Sequence, residues 1–376
     1  MTTTTPTPRR AASSARRRFY MLFIPACFFV FAYPPLRLAN WHFGAGALGA
    51  GAGVLIWLGA VAALWHAFRA PNMLVRYAAV HWMGASFILF ALTAAYEGLR
   101  LIASPDDRAA AVWIAGIAAA LVVVALAAAQ HLSVRRLALP TEKVTRGHRI
   151  VQISDVHIGS RRGGYLARIV RRINRLRPDF TVITGDLVDS SAVGRAQLGA
   201  LRDLRSRALF TLGNHERYAE PDAILKMLRE LGVEPLRQQC VRAGELQVAG
   251  IDDADAREQV ADNLPETLRD AQPGRYTILL YHRPLGWEAA VARGVDLMLC
   301  GHTHNGQIFP FNFLVKRQFR RINGLYKNGG AHLYVSPGTG TWGPLMRLGS
   351  RNEITCIDIL PAAQRGSGMS RGDGTP

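Results

Sequence analysis

The chain has 376 residues, a formal charge of +18, and 49% hydrophobic against 19% charged residues, so it is long enough for two domains. A strongly basic chain often binds nucleic acid, but residues 1–132 carry 10 Lys and Arg against 3 Asp and Glu, concentrated beside apolar stretches. An anionic membrane surface is therefore the expected partner, and no nucleic acid is expected. The four cysteines show no C-x-x-C spacing, which argues against a disulfide framework or a cysteine zinc site.

Residues 1–18 are rich in Thr, Pro, Ser and Arg and are expected to form a disordered basic tail. Arg16-Arg17-Arg18-Phe19-Tyr20 before an apolar run admits a twin-arginine export signal. Further apolar segments and the lack of a small-residue cleavage site favour a positive anchor ahead of a first membrane helix. Residues 19–132 are read as four transmembrane helices, roughly Phe19–Leu38, Gly44–Phe68, Leu74–Ile102 and Ala109–Leu132, the first interrupted by Pro25, Pro34 and Pro35. With four spans, the arginines before the first, Arg69 and Arg76, and Arg135, Arg136, Lys143 and Arg146 all fall on one side. That predicts a multi-pass protein of the inner membrane with its large C-terminal part in the cytoplasm; if the first segment did not cross, the side would reverse. Glu97 and Arg100 stand at helical spacing and are expected to pair, and anchoring is expected rather than transport. Residues 133–147 read as a linker.

From residue 148 a β-α-β-α-β pattern begins. Ile150 to Ile153 is an apolar run ending at Asp155-Val156-His157, Phe180 to Ile183 ends at Gly185-Asp186, and Ala208 to Leu212 ends at Gly213-Asn214-His215-Glu216. Tyr165 to Leu176, with apolar residues three and four apart, reads as a helix stopped by Pro178. Two more runs end at His282 and at Gly301-His302-Thr303-His304, and Leu333 to Val335 and Ile354 to Ile359 read as closing strands. In parallel sheets ligands bind beyond the carboxyl ends of the strands, where each of these polar clusters falls.

The residue types suit two cations. Asp186 can bridge, with Asp155, His157 and His304 completing one sphere and Asn214, His282 and His302 the other. Mixed oxygen and nitrogen donors favour Mn, Fe or Zn over Mg or Ca. Two such cations hold a hydroxide near neutral pH and offset the charge on a phosphate.

Asp155-x-His157, Gly185-Asp186, Gly213-Asn214-His215-Glu216, His282 and Gly301-His302-Thr303-His304 together resemble the calcineurin-like metallophosphoesterase superfamily over about residues 148–360. The resemblance implies a four-layer α/β/β/α sandwich, with His215 contacting phosphate and protonating the leaving group and Glu216 orienting His215. His282-Arg283-Pro284, Gly306-Gln307 and Tyr334-Val335-Ser336-Pro337-Gly338 are similar to a membrane-associated bacterial branch that includes UDP-diacylglucosamine hydrolases, with Asn305 where that branch usually has Gly.

Phe309 to Leu314, followed by Lys316, Arg317, Arg320 and Arg321, suits an interface with anionic headgroups. Gly368-Met369-Ser370-Arg371-Gly372 fits a nucleophile elbow but lies in a Gly/Ser-rich tail, residues 361–376, expected to be disordered; the absence of any Gly-Lys pair rules out a Walker A loop. The expected protein is a membrane-anchored dimetal phosphohydrolase acting on a lipid-linked phosphodiester or pyrophosphate. The alternatives are a nucleotide or protein phosphatase of the same chemistry and a non-catalytic receptor or scaffold that binds phosphorylated partners.

Overall fold

The computed structural model describes residue 21 and residues 24–67, 73–254 and 259–362. The expected basic tail, Arg69 and the elbow pattern lie outside those residues. The chain divides into two units: residues 1–130 with Ile308–Phe311 and Gly343–Gly349, and residues 131–307 with 312–342 and 350–376.

The first unit is helical, with α1 (Tyr33–Phe43) following a π-helical turn at Phe28–Ala32, then α2 (Ala50–Ala67), α3 (Met73–Arg100) and α4 (Asp107–Ala128). Among the described residues two helices, not the expected four, are long and apolar enough to cross a membrane: Leu74–Arg100 with 27 residues and Asp107–Ala128 with 22. The reason is geometric. The apolar part of α2, Ala50–His66, spans about 26 Å at 1.5 Å per residue, short of a 30 Å hydrocarbon core. The expected first span is broken by the π turn and then carries Pro34, Pro35 and Arg37. At one end of this unit the expected Glu97–Arg100 pair forms at 3.1 Å. Arg100 also bonds Asp107, Tyr33 donates to Glu97, and the guanidinium groups of Arg37 and Arg100 both lie over the Trp41 ring. Ile308 and Met346 enter the unit's core with Ile88, Ala118 and Ala125.

The second unit holds two six-stranded mixed sheets. In chain order its elements are β1 (Leu132–Thr141), β2 (His148–Ile153), α5 (Gly163–Leu176), β3 (Phe180–Thr184), α6 (Arg195–Leu198) and β4 (Arg207–Thr211). Next come α7 (Asn214–Tyr218), α8 (Pro221–Glu230), β5 (Val233–Pro235), β6 (Gln239–Ala243), β7 (Leu246–Ile251), α9 (Gln259–Thr267) and β8 (Tyr276–Tyr281). The last are α10 (Trp287–Ala292), β9 (Leu297–Cys300), α11 (Asn312–Gln318), β10 (Gly324–Asn328), β11 (Ala331–Val335) and β12 (Asn352–Pro361). The first sheet runs β1-β12-β2-β3-β4-β5 and the second β10-β11-β9-β8-β7-β6. Strands β2 to β5 are parallel, as are β7, β8, β9 and β11.

Three apolar cores explain the layering. Ile150, Val182 and Leu209 of the first sheet meet Ile278, Leu280 and Leu299 of the second between the sheets. Leu166, Ile169, Ile173, Leu225 and Leu228 pack α5 and α8 on the outer face of the first sheet, and Val260, Leu264 and Trp287 pack α9 and α10 on that of the second. Helix, sheet, sheet and helix therefore follow one another, and strands covered on both faces read as continuous apolar runs. In α5 the buried side chains recur every three or four positions with arginines between them, and the helix ends at Arg177 with φ 51°, just before Pro178. Each buried Leu or Ile contributes roughly 1.5–3 kcal/mol.

The stretch expected to be a linker, 133–147, instead supplies β1. It pairs parallel with β12 over its whole length, Leu132 opposite Asn352 through Thr141 opposite Pro361. Leu137 and Leu139 share one face and are buried, whereas Arg135 and Arg136, nearer the start of the strand, are exposed. A linker would leave those leucines in water.

Candidate metal centre

The loops after β2, β3, β4, β8 and β9 converge, and their side chains are almost wholly enclosed: Asp155, His157, Asp186, Asn214 and His282 are all buried. Two groups of donor atoms lie within 4.8 Å of one another, Asp155-His157-His304 and Asp186-His282-His302. A third, His157-Asp186-His215, overlaps both. His157 Nε2 lies 3.1 Å from His304 Nε2, and His304 Nε2 lies 3.4 Å from Asp155 Oδ1. On the other side His282 Nε2 lies 3.1 Å from each of Asn214 Oδ1, His302 Nδ1 and Asp186 Oδ2. Asp186 Oδ2 is also 3.9 Å from His157 Nε2, which leaves it between the two sets. The structure thus brings together all seven residues expected as ligands.

The backbone is bent to achieve this. Asp155, His157, Asp186, His302 and His304 all have φ between 49° and 71°, a left-handed conformation that non-glycine residues adopt at a cost. Gly301 permits the tightest approach: a Cβ there would lie 2.0 Å from Ser154 Oγ and 2.2 Å from Asp155 Oδ2. His302 N–H in turn donates to both Asp155 oxygens at 3.0 Å.

The outer contacts orient the rings. His282 Nδ1 is 2.8 Å from the Thr184 carbonyl, and His157 Nδ1 is 2.6 Å from Asp189 Oδ1, so in both rings Nε2 faces the cluster. Phe319 packs edge-on against His302 with centroids 5.2 Å apart. Asp189, whose carboxylate is enclosed, also accepts from Ser160 N–H and lies 3.5 Å from His215 Nδ1. Sequence reasoning missed Asp189; its signal was a second acid three residues after Asp186 in the same strand-end loop.

His215 opens α7, with its side chain one-fifth exposed, its N–H on Asp186 Oδ1 and its Nε2 4.0 Å from Asp186 Oδ2. Burial and the neighbouring His157 ring hold it below the ordinary histidine value. Glu216 was expected to orient His215. Instead its two oxygens accept the backbone N–H groups of Asp186, Leu187, Val188 and Gly213 at 2.7–3.0 Å. It clamps the β3 and β4 loops together, and burial followed by Asp186 pushes its carboxyl up to about 7.

The donor chemistry fits divalent cations. Burial opposes a charged His282 ring, yet Asp186 outweighs burial and lifts it to about 10, so the carboxylates of this enclosure demand positive charge. Nitrogens facing one another at 3.1 Å supply lone pairs that a cation can accept.

Two packed mixed sheets with His, Asp and Asn donors at their strand ends define a metallophosphoesterase. Residues 148–306 match the model of the calcineurin-like phosphoesterase family. An uncharacterized metallophosphoesterase of Aquifex aeolicus (strain VF5) is 33% identical over 255 residues, 63% of this chain and 97% of that protein. The chain belongs to this family. It is 34% identical over 231 residues to an uncharacterized metallophosphoesterase of Helicobacter pylori (strain J99 / ATCC 700824), covering 59% of this chain and 62% of the relative. A transmembrane protein with metallophosphoesterase domain from Bos taurus is 39% identical over 267 residues, covering 64% of this chain and 60% of the relative. The chain thus spans about three-fifths of the length of these two relatives. The assignment does not extend to the narrower likeness to UDP-diacylglucosamine hydrolases.

Proposed function

We propose that the protein is a membrane-anchored phosphodiesterase or pyrophosphatase acting on a lipid-linked phosphate, with two divalent cations of Mn, Fe or Zn. The observation that carries the hydrolytic reading is the pair of donor sets sharing Asp186. Asp155, His157 and His304 would hold one cation, Asn214, His282 and His302 the other, and Asp186 both. Bound cations supply a nucleophile at neutral pH and offset charge on the phosphate. His215 is the group placed to meet the leaving oxygen, with Nε2 towards the cluster, 4.0 Å from Asp186 Oδ2, and Nδ1 3.5 Å from Asp189.

The membrane part of the reading is supported by the two apolar helices and by the naming of the bovine relative. Arg76 lies in the first turn of α3 and Arg135 and Arg136 follow α4, whereas the other ends of these two helices meet at Asp106, Asp107 and Arg108, a bias that favours a cytoplasmic second unit. Lipid as the substrate is supported by α11, which exposes Phe313 and Leu314 next to Lys316 and Arg317.

The test is turnover of bis-p-nitrophenyl phosphate and p-nitrophenyl phosphate by the detergent-purified full chain with Mn²⁺, with Asp186→Asn as control. Metal-dependent diester hydrolysis that the substitution abolishes is the expected result, and preference for lipid over nucleotide diesters then decides the substrate. A fully metal-loaded protein that hydrolyses neither compound nor any lipid or nucleotide ester would sink the proposal in favour of a binding module.

A further inference from the structure

Beside the ligands lies one large apolar surface that coordination does not require. Trp342 is 41% exposed, and its indole meets the His215 ring near edge-on, with centroids 6.0 Å apart and planes at 69°. The ring is held on a rigid base. Gln307 stands three residues beyond His304, and its side-chain Nε2 donates to the Trp342 carbonyl while Oε1 accepts the Trp342 N–H, each at 3.0 Å. It does so from φ 55° and ψ −54°, a conformation that a side-chain-bearing residue holds only when its surroundings impose it. Two residues before the tryptophan, Gly340 N–H donates to the Asp155 carbonyl at 3.0 Å. A Cβ on Gly340 would lie 2.1 Å from the Val156 carbonyl oxygen, so this loop is pressed against the Asp155–His157 strand end.

We propose that Trp342 forms a leaving-group subsite that takes the apolar organic substituent of the phosphoester. The inference rests on the phosphohydrolase reading and deepens it. In that reading His215 meets the departing oxygen, so the group attached to that oxygen lies against whatever flanks His215, and the indole does. A half-exposed indole gains from burial only when apolar surface covers it, and an aryl or hydrocarbon group provides that surface whereas inorganic phosphate does not. The metals and His215 then act on the phosphate common to all esters, and Trp342 selects among them by what leaves.

The test compares the full chain in detergent with its Trp342→Ala and Trp342→Phe forms. kcat/KM for bis-p-nitrophenyl phosphate, orthophosphate affinity by calorimetry and bound metal would be measured for each. Trp342→Ala should lower kcat/KM about tenfold, Trp342→Phe should stay within about threefold, and orthophosphate affinity and metal content should hold within about twofold. Unchanged diester turnover in Trp342→Ala, with the wild type active, overturns the subsite alone. Equal losses of diester turnover and orthophosphate affinity also overturn it, because the ring would then be propping up the metal loops. A metal-loaded wild type that hydrolyses neither aryl ester nor any lipid or nucleotide ester overturns the subsite together with the phosphohydrolase reading. Alkyl and aryl diesters run side by side separate a lipid stem from a flat aromatic group as the natural occupant.

Discussion

Replacing Asp189 by Asn tests how far the centre depends on a group that is not one of its expected ligands. The Asp189 carboxylate receives His157 Nδ1 at 2.6 Å and Ser160 N–H at 2.7 Å, and faces His215 Nδ1 at 3.5 Å. Asparagine keeps the shape but presents one oxygen where two were used. If that oxygen stays on His157, the new NH₂ meets the Ser160 N–H, and a buried donor loses its acceptor. If the amide turns over, NH₂ faces the imidazole and favours the ring tautomer that puts a proton on Nε2, where the metal must bind. Either way a charge-assisted bond becomes a neutral one at best, about half as strong. Loss of such an outer partner costs roughly 10–100-fold in metal affinity or activity. Apo protein titrated with Mn²⁺ by calorimetry should show that loss, and diester kcat/KM at limiting metal should follow it. Saturating metal should restore part of the rate, leaving the share that reflects His215. Metal affinity and kcat/KM both within about twofold of wild type, in a folded protein, would falsify the argument that Asp189 orients these rings.

Three further outcomes follow from the same geometry. Gly301→Ala places a methyl 2.0 Å from Ser154 Oγ and 2.2 Å from Asp155 Oδ2; it should cost roughly 1–3 kcal/mol in urea unfolding and reduce bound metal, and a fully loaded variant of native stability would contradict it. Glu216→Gln leaves backbone N–H groups facing an amide NH₂; it should destabilise the domain by about 2–5 kcal/mol, checked by thermal unfolding, and a normal melting temperature would count against the clamp. Glu245 is held down to about 2, first by its hydrogen bond from Thr145 and then by that with His148. A carboxyl depressed in the folded state stabilises above its ordinary value of 4.5 and loses that contribution as pH falls towards 2. Glu245→Gln should therefore be less stable than wild type at pH 6 and indistinguishable from it near pH 2, as read by unfolding at each pH.

The residues expected as metal ligands were legible because strand ends announce themselves. An apolar run such as Leu297 to Cys300 followed by a polar, glycine-containing turn marks where a buried strand reaches the sheet edge, and the chemistry-bearing side chain comes next. The partners of those residues gave no such signal. Asp189 reads as an ordinary loop acid until β3 places it under His157, and Trp342 reads as one tryptophan among seven until Gln307 fixes it beside His215. The membrane segments were over-counted for a related reason. Apolar composition alone does not register that Pro34-Pro35 follows a π turn, or that Ala50–His66 falls short of a bilayer. Strand β1 was missed because Arg135 and Arg136 resemble linker charges, and only pairing with β12 shows that Leu137 and Leu139 face inward.

The position of Glu216 changes what the Gly213-Asn214-His215-Glu216 run is for. Its middle residues supply a ligand and the candidate acid, and its last residue holds the strand ends that carry them. Four N–H groups from two different loops converge on one buried carboxylate, and these loops also carry Asp186, with φ 50°, and Asn214. A left-handed aspartate persists only where its surroundings enforce it, and the Glu216 bond to the Asp186 N–H is one such constraint. The donors of the proposed second set thus owe their separation to a residue that is not among the expected ligands. Asp189 does the corresponding work for His157 in the first set, so each set has one donor held by an acid that is not itself among the expected ligands. Substitution of Glu216 should therefore loosen metal at both proposed sites together, because it holds the shared Asp186, whereas substitution of Asp189, like removal of His304 or His302, should first affect only its own set.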